Sequence, residues 1–312
     1  MLEKKDVLIT GAAGFIGANL TRKLIKEGSR IHILIKKTTN TWRVKDILDR
    51  VVTHDVDLNN LEGLQKLTKK IKPKVIFHLS AHGNYPSQED LHEMIKTNIT
   101  GTANLLLSLA DINYECFVNT GTSSEYGFKN RAMKETDYLE PVSFYAAIKV
   151  GSSLLCQVFA SQYKKPIVTL RPFSVYGPWE EGSRLIPTVI NSILKGKQIN
   201  LTDGKEKRDF IYIDDLVDAY LKVARSSLSG EIINVGSGKQ FSTKEVVEII
   251  NNLIKKGAKI NYGAFKPRIW DTDFWLADRR KAKKLLGWEP KFNIKEGLTQ
   301  TIKWFEQNLE YY

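Results

Sequence analysis

Two groups of residues in the middle of the sequence have the types and spacing for acid–base chemistry. The segment TGTSSEYG (120–127) carries three successive hydroxyls beginning at Thr122, and Glu125 is its only acid. Hydroxyls alone are poor acids and bases at neutral pH, so they need a reactive partner. Tyr145 and Lys149 lie four residues apart in a stretch with helical spacing, and therefore share a helix face. An ammonium beside a phenol lowers the phenol pKa from about 10, which suits Tyr145 to proton transfer.

A glycine-rich segment near the N-terminus could hold a phosphate-bearing cofactor. TGAAGFIG lies between a strand-like run and a helical stretch, and its glycines are Gly11, Gly14 and Gly17. Glycine permits a tight turn, and the helix start at Phe15 and Ile16 offers free N–H groups to a pyrophosphate. Isolated glycines also mark ordinary turns, and a lone Tyr–Lys pair is usually a surface contact. The strand–turn–helix context together with the hydroxyls favours dinucleotide binding and catalysis.

The end of the predicted second strand bears on which nicotinamide cofactor is bound. In such folds an acid about 20 residues after the glycines usually binds the adenosine 2′-hydroxyl. The segment IKKTTNTWR has no acid and offers Lys36, Lys37 and Arg43 instead. These cations favour NADP, with its 2′-phosphate, over NAD. The alternative is that they are ordinary surface cations of a basic protein.

Strand-like and helix-like segments alternate through the first half of the chain. The strand-like runs are 6–10, 30–35, 74–81, 115–120 and 166–172, and the helical stretches include 15–28, 102–112 and 143–163. This alternation predicts an α/β fold, a Rossmann-type doubly wound parallel sheet. The pattern changes after Pro172, so we predict an NAD(P)-binding Rossmann domain at 1–171 and a smaller C-terminal substrate-binding lobe at 172–312. The strand-like segment 231–238 is expected to return to the sheet.

Composition and charge restrict the class of protein. The 312 residues are 42% hydrophobic and 26% charged, as in a globular chain with a sizeable core. The apolar runs are too short to span a bilayer and no signal peptide is evident, so we expect a cytoplasmic location. Cys116 and Cys156 do not indicate a disulfide framework. We attribute the net charge of +12 to a lysine-rich surface. A small phosphate-bearing ligand is the alternative, and nucleic acid is a weaker candidate.

Taken together, the motifs resemble one known family over nearly the whole chain. The extended short-chain dehydrogenase/reductases carry, in this order, segments similar to TGAAGFIG, IFHLSA, NITGTANLL, TGTSSEYG, FYAAIK, RPFSVYGP, RDFIYIDDLVDAY, INVGSG and LGWEP. The resemblance is to the group of nucleotide-sugar epimerases, dehydratases and reductases. It implies hydride transfer at a sugar carbon, commonly C4, a smaller lobe that binds the nucleotide sugar, and pairing of two subunits through helices of the first lobe.

The resemblance also implies roles for individual residues. The catalytic hydroxyl, phenol and ammonium of the family match Thr122, Tyr145 and Lys149. Further cofactor contacts fall on Asp55, Val56, Leu79, Ala81 and, again, Tyr145 and Lys149. Contacts with the nucleotide sugar fall on Thr122, Ser123, Ser174, Arg208, Arg268 and Asp271.

Two departures from the family pattern narrow the reaction. Sugar 4,6-dehydratases of the family carry an acid soon after the catalytic threonine, whereas here Thr122 is followed by two serines. A dehydratase is therefore disfavoured, unless a local shift brings Glu125 inward. Ser174 occupies a diphosphate-contacting position at which many members have asparagine.

These observations favour a two-lobed enzyme that reduces a nucleotide-linked 4-keto-6-deoxysugar with NADPH. Tyr145 would protonate the developing alkoxide, Lys149 would keep the phenol pKa low, and Thr122 would hold the oxygen. The closest alternative is a nucleotide-sugar 4-epimerase with tightly held NAD, and a less favoured one is a redox-sensing binding protein without catalysis. We expect a homodimer. We expect no metal site, because His78 and His82 span a strand end and a turn rather than one helix face.

Overall fold

A computed structural model describes residues 2–83, 88–266 and 271–312. The strands are, in chain order, β1 (Asp6–Thr10), β2 (Arg30–Leu34), β3 (Val52–His54), β4 (Val75–His78), β5 (Cys116–Thr120), β6 (Ile167–Pro172), β7 (Ser174–Tyr176), β8 (Ile199–Asn200), β9 (Lys207–Tyr212), β10 (Ile232–Val235), β11 (Gln240–Ser242) and β12 (Ile260–Asn261). The helices are α1 (Phe15–Lys26), α2 (Leu61–Ile71), α3 (Leu91–Ile95), α4 (Gly101–Ser108), α5 (Phe144–Gln162), α6 (Leu185–Leu194), α7 (Ile213–Ala224), α8 (Thr243–Ile254), α9 (Arg280–Leu286) and α10 (Ile294–Gln307). A π-helical turn, Lys96–Thr100, joins α3 to α4, and short 3-10 turns lie at Lys45–Arg50, Ser123–Tyr126 and Leu309–Tyr311.

The central sheet has seven strands in the order β10-β6-β5-β4-β1-β2-β3. The pairs from β3 through β6 are parallel, and β1 lies between β2 and β4. The order of the strands therefore reverses between β1 and β4, the point at which ligands bind in open sheets of this type. The predicted Rossmann-type α/β fold is confirmed, and the strand-like segment 231–238 contributes β10 to the sheet.

Both faces of the central sheet are covered by helices. Leu8 and Ile76 of the sheet share a buried cluster with Leu64 and Leu67 of α2 and with residues of α4 and α5. Phe77 alternates with Ile76 and so points to the opposite face, where its ring meets Tyr220 of α7 edge-on at 6.1 Å. Burial on both faces explains the continuous apolar runs that the sequence shows at these strands.

The chain forms two compact units with interleaved segments. The first unit comprises 1–127, 138–172 and 217–233, and the second comprises 128–137, 173–216 and 234–312. The grouping is more interleaved than a single division after residue 171, because the short segment 128–137 belongs to the second unit and 217–233 to the first. The polypeptide passes between the units within α7 and again within β10.

Two aspartates of the RDFIYIDD segment hold loops of the second unit. Asp209, the third residue of β9, is fully buried. Its carboxylate accepts hydrogen bonds from the backbone N–H groups of Ser237, Gly238 and Ala277. Asp215 accepts from the backbone N–H groups of residues 291 and 292, while its own carbonyl accepts from the indole of the buried Trp288. These contacts bring the segments RDFIYIDD, INVGSG and LGWEP together in space.

One described helix, α5, is long and apolar enough to cross a membrane by length and composition. Its buried residues include Lys149, Ser152 and Ser153, and it packs against β6 of the central sheet. The core helix of a soluble protein meets the same criteria, so this helix is weak evidence for a membrane span.

A buried histidine links β4 to its neighbours. The ring of His78 is 2% exposed; its Nδ1 lies 2.7 Å from the hydroxyl of Thr10, and its Nε2 lies 2.9 Å from that of Thr102. Thr102 donates its own proton to the carbonyl of Asn98, so Nε2 of His78 donates to Thr102 and Nδ1 accepts from Thr10. Burial, helped by the nearby Lys149 charge, lowers the pKa of His78 to about 3.

This histidine makes the stability of the protein depend on pH. Below the ordinary histidine pKa of 6.5, His78 binds a proton in the unfolded chain but stays neutral in the folded protein. The free energy of unfolding therefore falls as the pH falls from about 6.5 toward 3. The contribution is about 1.4 kcal/mol for each pH unit in that range. We expect His78→Gln to flatten the dependence of the unfolding free energy on pH between 7 and 5, measured by urea denaturation. The exposed control His92→Gln should keep the wild-type slope, and an equal slope in His78→Gln would show that another group is responsible.

Candidate active site at the carboxyl edge of the central sheet

The predicted cofactor and catalytic residues of the first unit follow the carboxyl ends of five adjacent strands. The glycine turn follows β1, Lys36 and Lys37 follow β2, Asp55 follows β3, Leu79 to Ala81 follow β4, and Thr122 follows β5. In a parallel sheet these ends meet at one edge, so residues distant in sequence converge there.

Two glycines of the turn, Gly11 and Gly17, have no room for a side chain. Gly11 has a φ of +72°, and a Cβ at this position would lie 2.6 Å from the backbone of Leu79 and Ser80. A Cβ on Gly17 would collide with the carbonyl oxygen of Gly11, against which α1 packs. Gly14 is the exposed N-cap of α1, so the first N–H groups of the helix, including those of Phe15 and Ile16, lack intrahelical partners. The turn thus offers backbone donors and a helix N-terminus to a pyrophosphate, and fits a dinucleotide.

Two hydrogen bonds hold the loop after β4 against the end of β1. The N–H of Leu79 donates to the Thr10 carbonyl at 3.1 Å, and the N–H of Ser80 donates to the Thr10 hydroxyl at 3.3 Å.

The end of the same loop is held by Asn98, whose buried side chain accepts from the N–H of His82 and donates to its carbonyl. Asn98 is not among the site residues predicted from the sequence. Its π-helical turn interrupts the run of α3 into α4, which single-sequence periodicity cannot show.

The two lysines at the end of β2 lie beside carboxylates that the local sequence does not show. Lys36 lies 3.3 Å from the carboxylate of Asp57, and Lys37 lies 3.9 Å from that of Asp55. The region is therefore not free of acids, because both carboxylates reach it from the segment after β3, which also carries Val56. Arg43 is only 7% exposed, and its guanidinium stacks over the ring of Trp42. The expectation that no acid lies at this strand end is therefore wrong, and the preference for NADP loses that support.

The hydroxyl segment forms a capped 3-10 turn. Thr122 is half-buried, and its hydroxyl accepts a hydrogen bond from the N–H of Ser124 at 3.2 Å. Ser123, which was expected to contact the substrate, is only 5% exposed, whereas Ser124 is half-buried. Thr122 is thus the more accessible of the two predicted hydroxyls.

The carboxylate of Glu125 is buried and fully engaged. One oxygen accepts from the Thr122 N–H at 2.9 Å and from the Ser153 hydroxyl at 3.0 Å, and the other accepts from Nε of Arg171 at 2.8 Å. Glu125 and Arg171 are 0% and 1% exposed. The local shift that would bring Glu125 inward as a dehydratase acid is therefore not found. Arg171 and Ser153 are not among the site residues predicted from the sequence, because neither carries a local signal of this pairing.

Tyr145 and Lys149 lie on one face of α5, as their spacing predicts. The helix begins after Ser143, whose hydroxyl caps it by accepting from the N–H of Ala146 at 3.2 Å. Tyr145 is half-buried, and Lys149 is 3% exposed. Burial lowers the pKa of Lys149 from its ordinary value, and the Glu125 carboxylate acts in the opposite direction.

Of the predicted nucleotide-sugar contacts, Thr122 and Ser123 belong to the first unit, and Ser174, Arg208 and Asp271 belong to the second. Ser174 of β7 pairs with Phe210 of β9, so Arg208, two residues earlier, is on the same face of this small sheet. Arg208 donates to the carboxylate of Asp271 at 3.1 Å, and its guanidinium lies 5.4 Å from the ring centre of Trp275. Arg268 lies outside the described residues.

Over the described ranges 2–83, 88–266 and 271–312, no cluster of three histidine, cysteine or carboxylate side chains could hold a metal ion. Cys116 and Cys156 are both buried and unpaired, and burial raises the pKa of each to about 12. Both thiols therefore stay protonated at neutral pH, far from the range in which a cysteine acts as a nucleophile.

The parallel sheet, the glycine turn and the hydroxyl–phenol–ammonium set define a dinucleotide-dependent enzyme. The model of the NAD dependent epimerase/dehydratase family matches residues 7–236, and the chain belongs to this family. The matched region includes every strand-end residue described above.

Individual relatives agree with this assignment. The chain is 34% identical over 315 residues to a UDP-glucuronate 4-epimerase of Thermodesulfobacterium geofontis, and the match covers 97% of each protein. It is 28% identical to a dTDP-glucose 4,6-dehydratase of Haemophilus influenzae, with 96% of this chain and 97% of that protein covered. The solved structure of UDP-glucuronic acid 4-epimerase from Bacillus cereus, in complex with UDP-glucuronic acid and NAD, superposes with a TM-score of 0.87. That structure is 30% identical, and the match covers 97% of this chain and 99% of that chain.

Proposed function

We propose that the protein is a nucleotide-sugar 4-epimerase that uses NAD and acts on a UDP-linked hexose or hexuronic acid. The similarity to UDP-glucuronate 4-epimerases over nearly the whole chain supports this choice of reaction and nucleotide. The reductase that the sequence favoured becomes the second candidate. Its remaining support is the pair of cations, Lys36 and Lys37, at the end of β2.

The observation that carries the proposal is the engagement of Glu125. Elimination of water from the sugar would need an acid beside Thr122, but both oxygens of Glu125 are bound to other groups. Inversion at C4 needs a group that holds the sugar oxygen and a group that moves its proton. Thr122, Tyr145 and Lys149 can supply these functions without a further acid.

Each member of this set has a separate role in the proposal. Tyr145 takes the proton from the sugar 4-hydroxyl as C4 is oxidised, and returns it when C4 is reduced from the opposite face. The Lys149 ammonium favours the phenolate and so lowers the phenol pKa toward neutrality. Thr122 donates its hydroxyl proton to the sugar oxygen and keeps that oxygen next to Tyr145.

The cofactor is proposed to lie along the carboxyl edge of the central sheet. Backbone groups of the glycine turn would hold its pyrophosphate, Leu79 and Ala81 would line it, and Asp55 and Val56 would contact the adenine side. When bound, NAD supplies a hydride acceptor and donor for C4. Because Asp57 engages Lys36, the proposal is for NAD rather than NADP. In the second unit, Ser174, Arg208 and Asp271 are proposed to bind the nucleotide diphosphate.

A homodimer is proposed through the outer surface of α4 and α5. Leu107, Leu154, Leu155 and Val158 are between 37% and 52% exposed there, although each is a large apolar side chain. Such a surface is typical of a contact with another protein, and a second copy of the chain is the occupant we propose.

The double variant Leu154→Glu and Val158→Lys should be a monomer in sedimentation velocity, because both substitutions place a charge on this apolar surface. A wild-type protein that is monomeric at micromolar concentration would contradict the dimer.

The reaction is tested without any added reductant. Incubation with UDP-glucuronic acid or UDP-glucose should give the C4 epimer, identified by NMR, with no net change in NADH absorbance and no 4-keto-6-deoxy product. Tyr145→Phe should lower this turnover by about 10²-fold or more, because the ring remains but its proton is gone. Tyr138→Phe is the matched control, since Tyr138 is 90% exposed. Steady NADPH oxidation with a 4-keto-6-deoxysugar, and no epimerisation, would favour the reductase instead.

Cofactor choice is tested by titrating NAD⁺ and NADP⁺ into the protein. We expect wild type to prefer NAD⁺, and Asp57→Asn to raise the relative affinity for NADP⁺ by about tenfold, because it releases Lys36 to meet a 2′-phosphate. Asp111→Asn makes the same change of charge at an exposed site away from the strand ends and should leave the ratio unchanged. Tighter binding of NADP⁺ by wild type would restore the reductase to first place.

A further inference from the structure

Glu125 joins three separate parts of the first unit at one carboxylate. Its partners are the backbone of Thr122 in the 3-10 turn, the hydroxyl of Ser153 in α5 and the guanidinium of Arg171 in β6. The fit is close, because a Cβ on Gly121 would lie 2.6 Å from the bound oxygen. Arg171 is held in turn by the ring of Tyr126, with its guanidinium 4.7 Å from the ring centre.

The hydrogen bond to Ser153 fixes the turn against a particular face of α5. Tyr145, Lys149 and Ser153 are spaced four residues apart and therefore follow one another along that face. The same oxygen of Glu125 that accepts from Ser153 also accepts from the N–H of Thr122. One atom thus sets the separation between the hydroxyl turn and the face that carries the phenol and the ammonium.

The carboxylate also supplies charge where the protein has removed water. Lys149 lies one helical turn before Ser153, whose hydroxyl donates to Glu125. Lys149 is 3% exposed and Glu125 is 0% exposed, so solvent screens neither group. Burial disfavours the ammonium form of Lys149, and the negative charge of Glu125 acts against this effect. Arg171 balances the charge of Glu125 from the side of β6.

We propose that Glu125 is the positioning residue of this site: it holds Thr122 at a fixed distance from the catalytic face of α5, and it provides the buried counter-charge for Lys149. This inference rests on the proposed function, since it assumes that Thr122, Tyr145 and Lys149 act together. It assigns Glu125 no contact with substrate and no proton transfer. The acid of the hydroxyl segment thereby has a role different from that of a dehydratase acid.

The two parts of the proposal are tested with different variants. Glu125→Gln alone would leave Arg171 buried without a counter-charge, so the variant for the electrostatic part is Glu125→Gln combined with Arg171→Met, with folding checked by circular dichroism. Ser153→Ala is the variant for the positional part, because it removes the link to α5 and leaves the ion pair intact. Ser152→Ala is the matched control, since it removes a buried hydroxyl from the same helix without touching Glu125.

The electrostatic readout needs no substrate and so is independent of the proposed reaction. The protein is labelled with carbon-13 at the lysine Cε, and the resonance of Lys149 is assigned as the one that Lys149→Met lacks. Its chemical shift as a function of pH gives the titration midpoint of Lys149. Its midpoint should be lower in the double variant than in wild type, because the carboxylate that favours the ammonium form is gone. It should stay at the wild-type value in Ser152→Ala and Ser153→Ala. An unchanged midpoint in the folded double variant would overturn the electrostatic part.

The positional readout is the split between kcat and KM for the UDP sugar that wild type turns over. Ser153→Ala should lower kcat by about tenfold with little change in KM or in NAD⁺ affinity, because substrate still binds while the reacting groups are held less closely. Ser152→Ala should have a smaller effect on kcat. Wild-type kcat in Ser153→Ala would overturn the positional part. If wild type epimerises no UDP sugar, the proposed function fails, and the Lys149 titration still decides whether Glu125 is its counter-charge.

Discussion

The parallel pairing of β1 with β4 is the constraint on which the rest of the first unit depends. Four residue pairs, from Val7 with Val75 to Thr10 with His78, bring the ends of these strands side by side. Gly11 then has to turn directly against the backbone of Leu79 and Ser80, which leaves no space for a Cβ. The buried hydrogen bond between Thr10 and His78 closes the same junction from within the sheet. This edge of the sheet is therefore built from close contacts that tolerate little change in side-chain volume.

Features of this edge that depend on local sequence could be predicted, and features that depend on long-range pairing could not. The glycine turn, the α5 face with Tyr145 and Lys149, and the strands around them each have a pattern within about twenty residues. Two of the partners of Glu125, Ser153 and Arg171, are 28 and 46 residues away from it, and no periodicity links such positions. The sequence shows Glu125 as an acid near Thr122. The orientation of its side chain, however, is set by tertiary contacts that the sequence does not show.

The same distinction explains the error about the end of β2. Along the chain, Lys36 and Lys37 stand in a segment without acids, and this absence favoured a 2′-phosphate. In the sheet, β3 pairs with β2 in parallel, with Leu34 opposite His54. The residues that follow the two strands are therefore neighbours, and Asp55 and Asp57 meet the lysines across the gap. Charge patterns along a single strand end omit the residues after the adjacent strand, which lie beside it in a parallel sheet.

Several cations that the sequence shows as available are engaged by carboxylates or packed against rings, as with Arg43, Arg171 and Arg208. Breaking a buried pair such as Glu125 with Arg171 by removing one partner costs about 3–5 kcal/mol, whereas replacing both by apolar groups is often neutral. Stability alone therefore gives little reason to keep this pair. What an apolar replacement would remove is the acceptor for Thr122 and Ser153 and a negative charge that favours the ammonium form of Lys149.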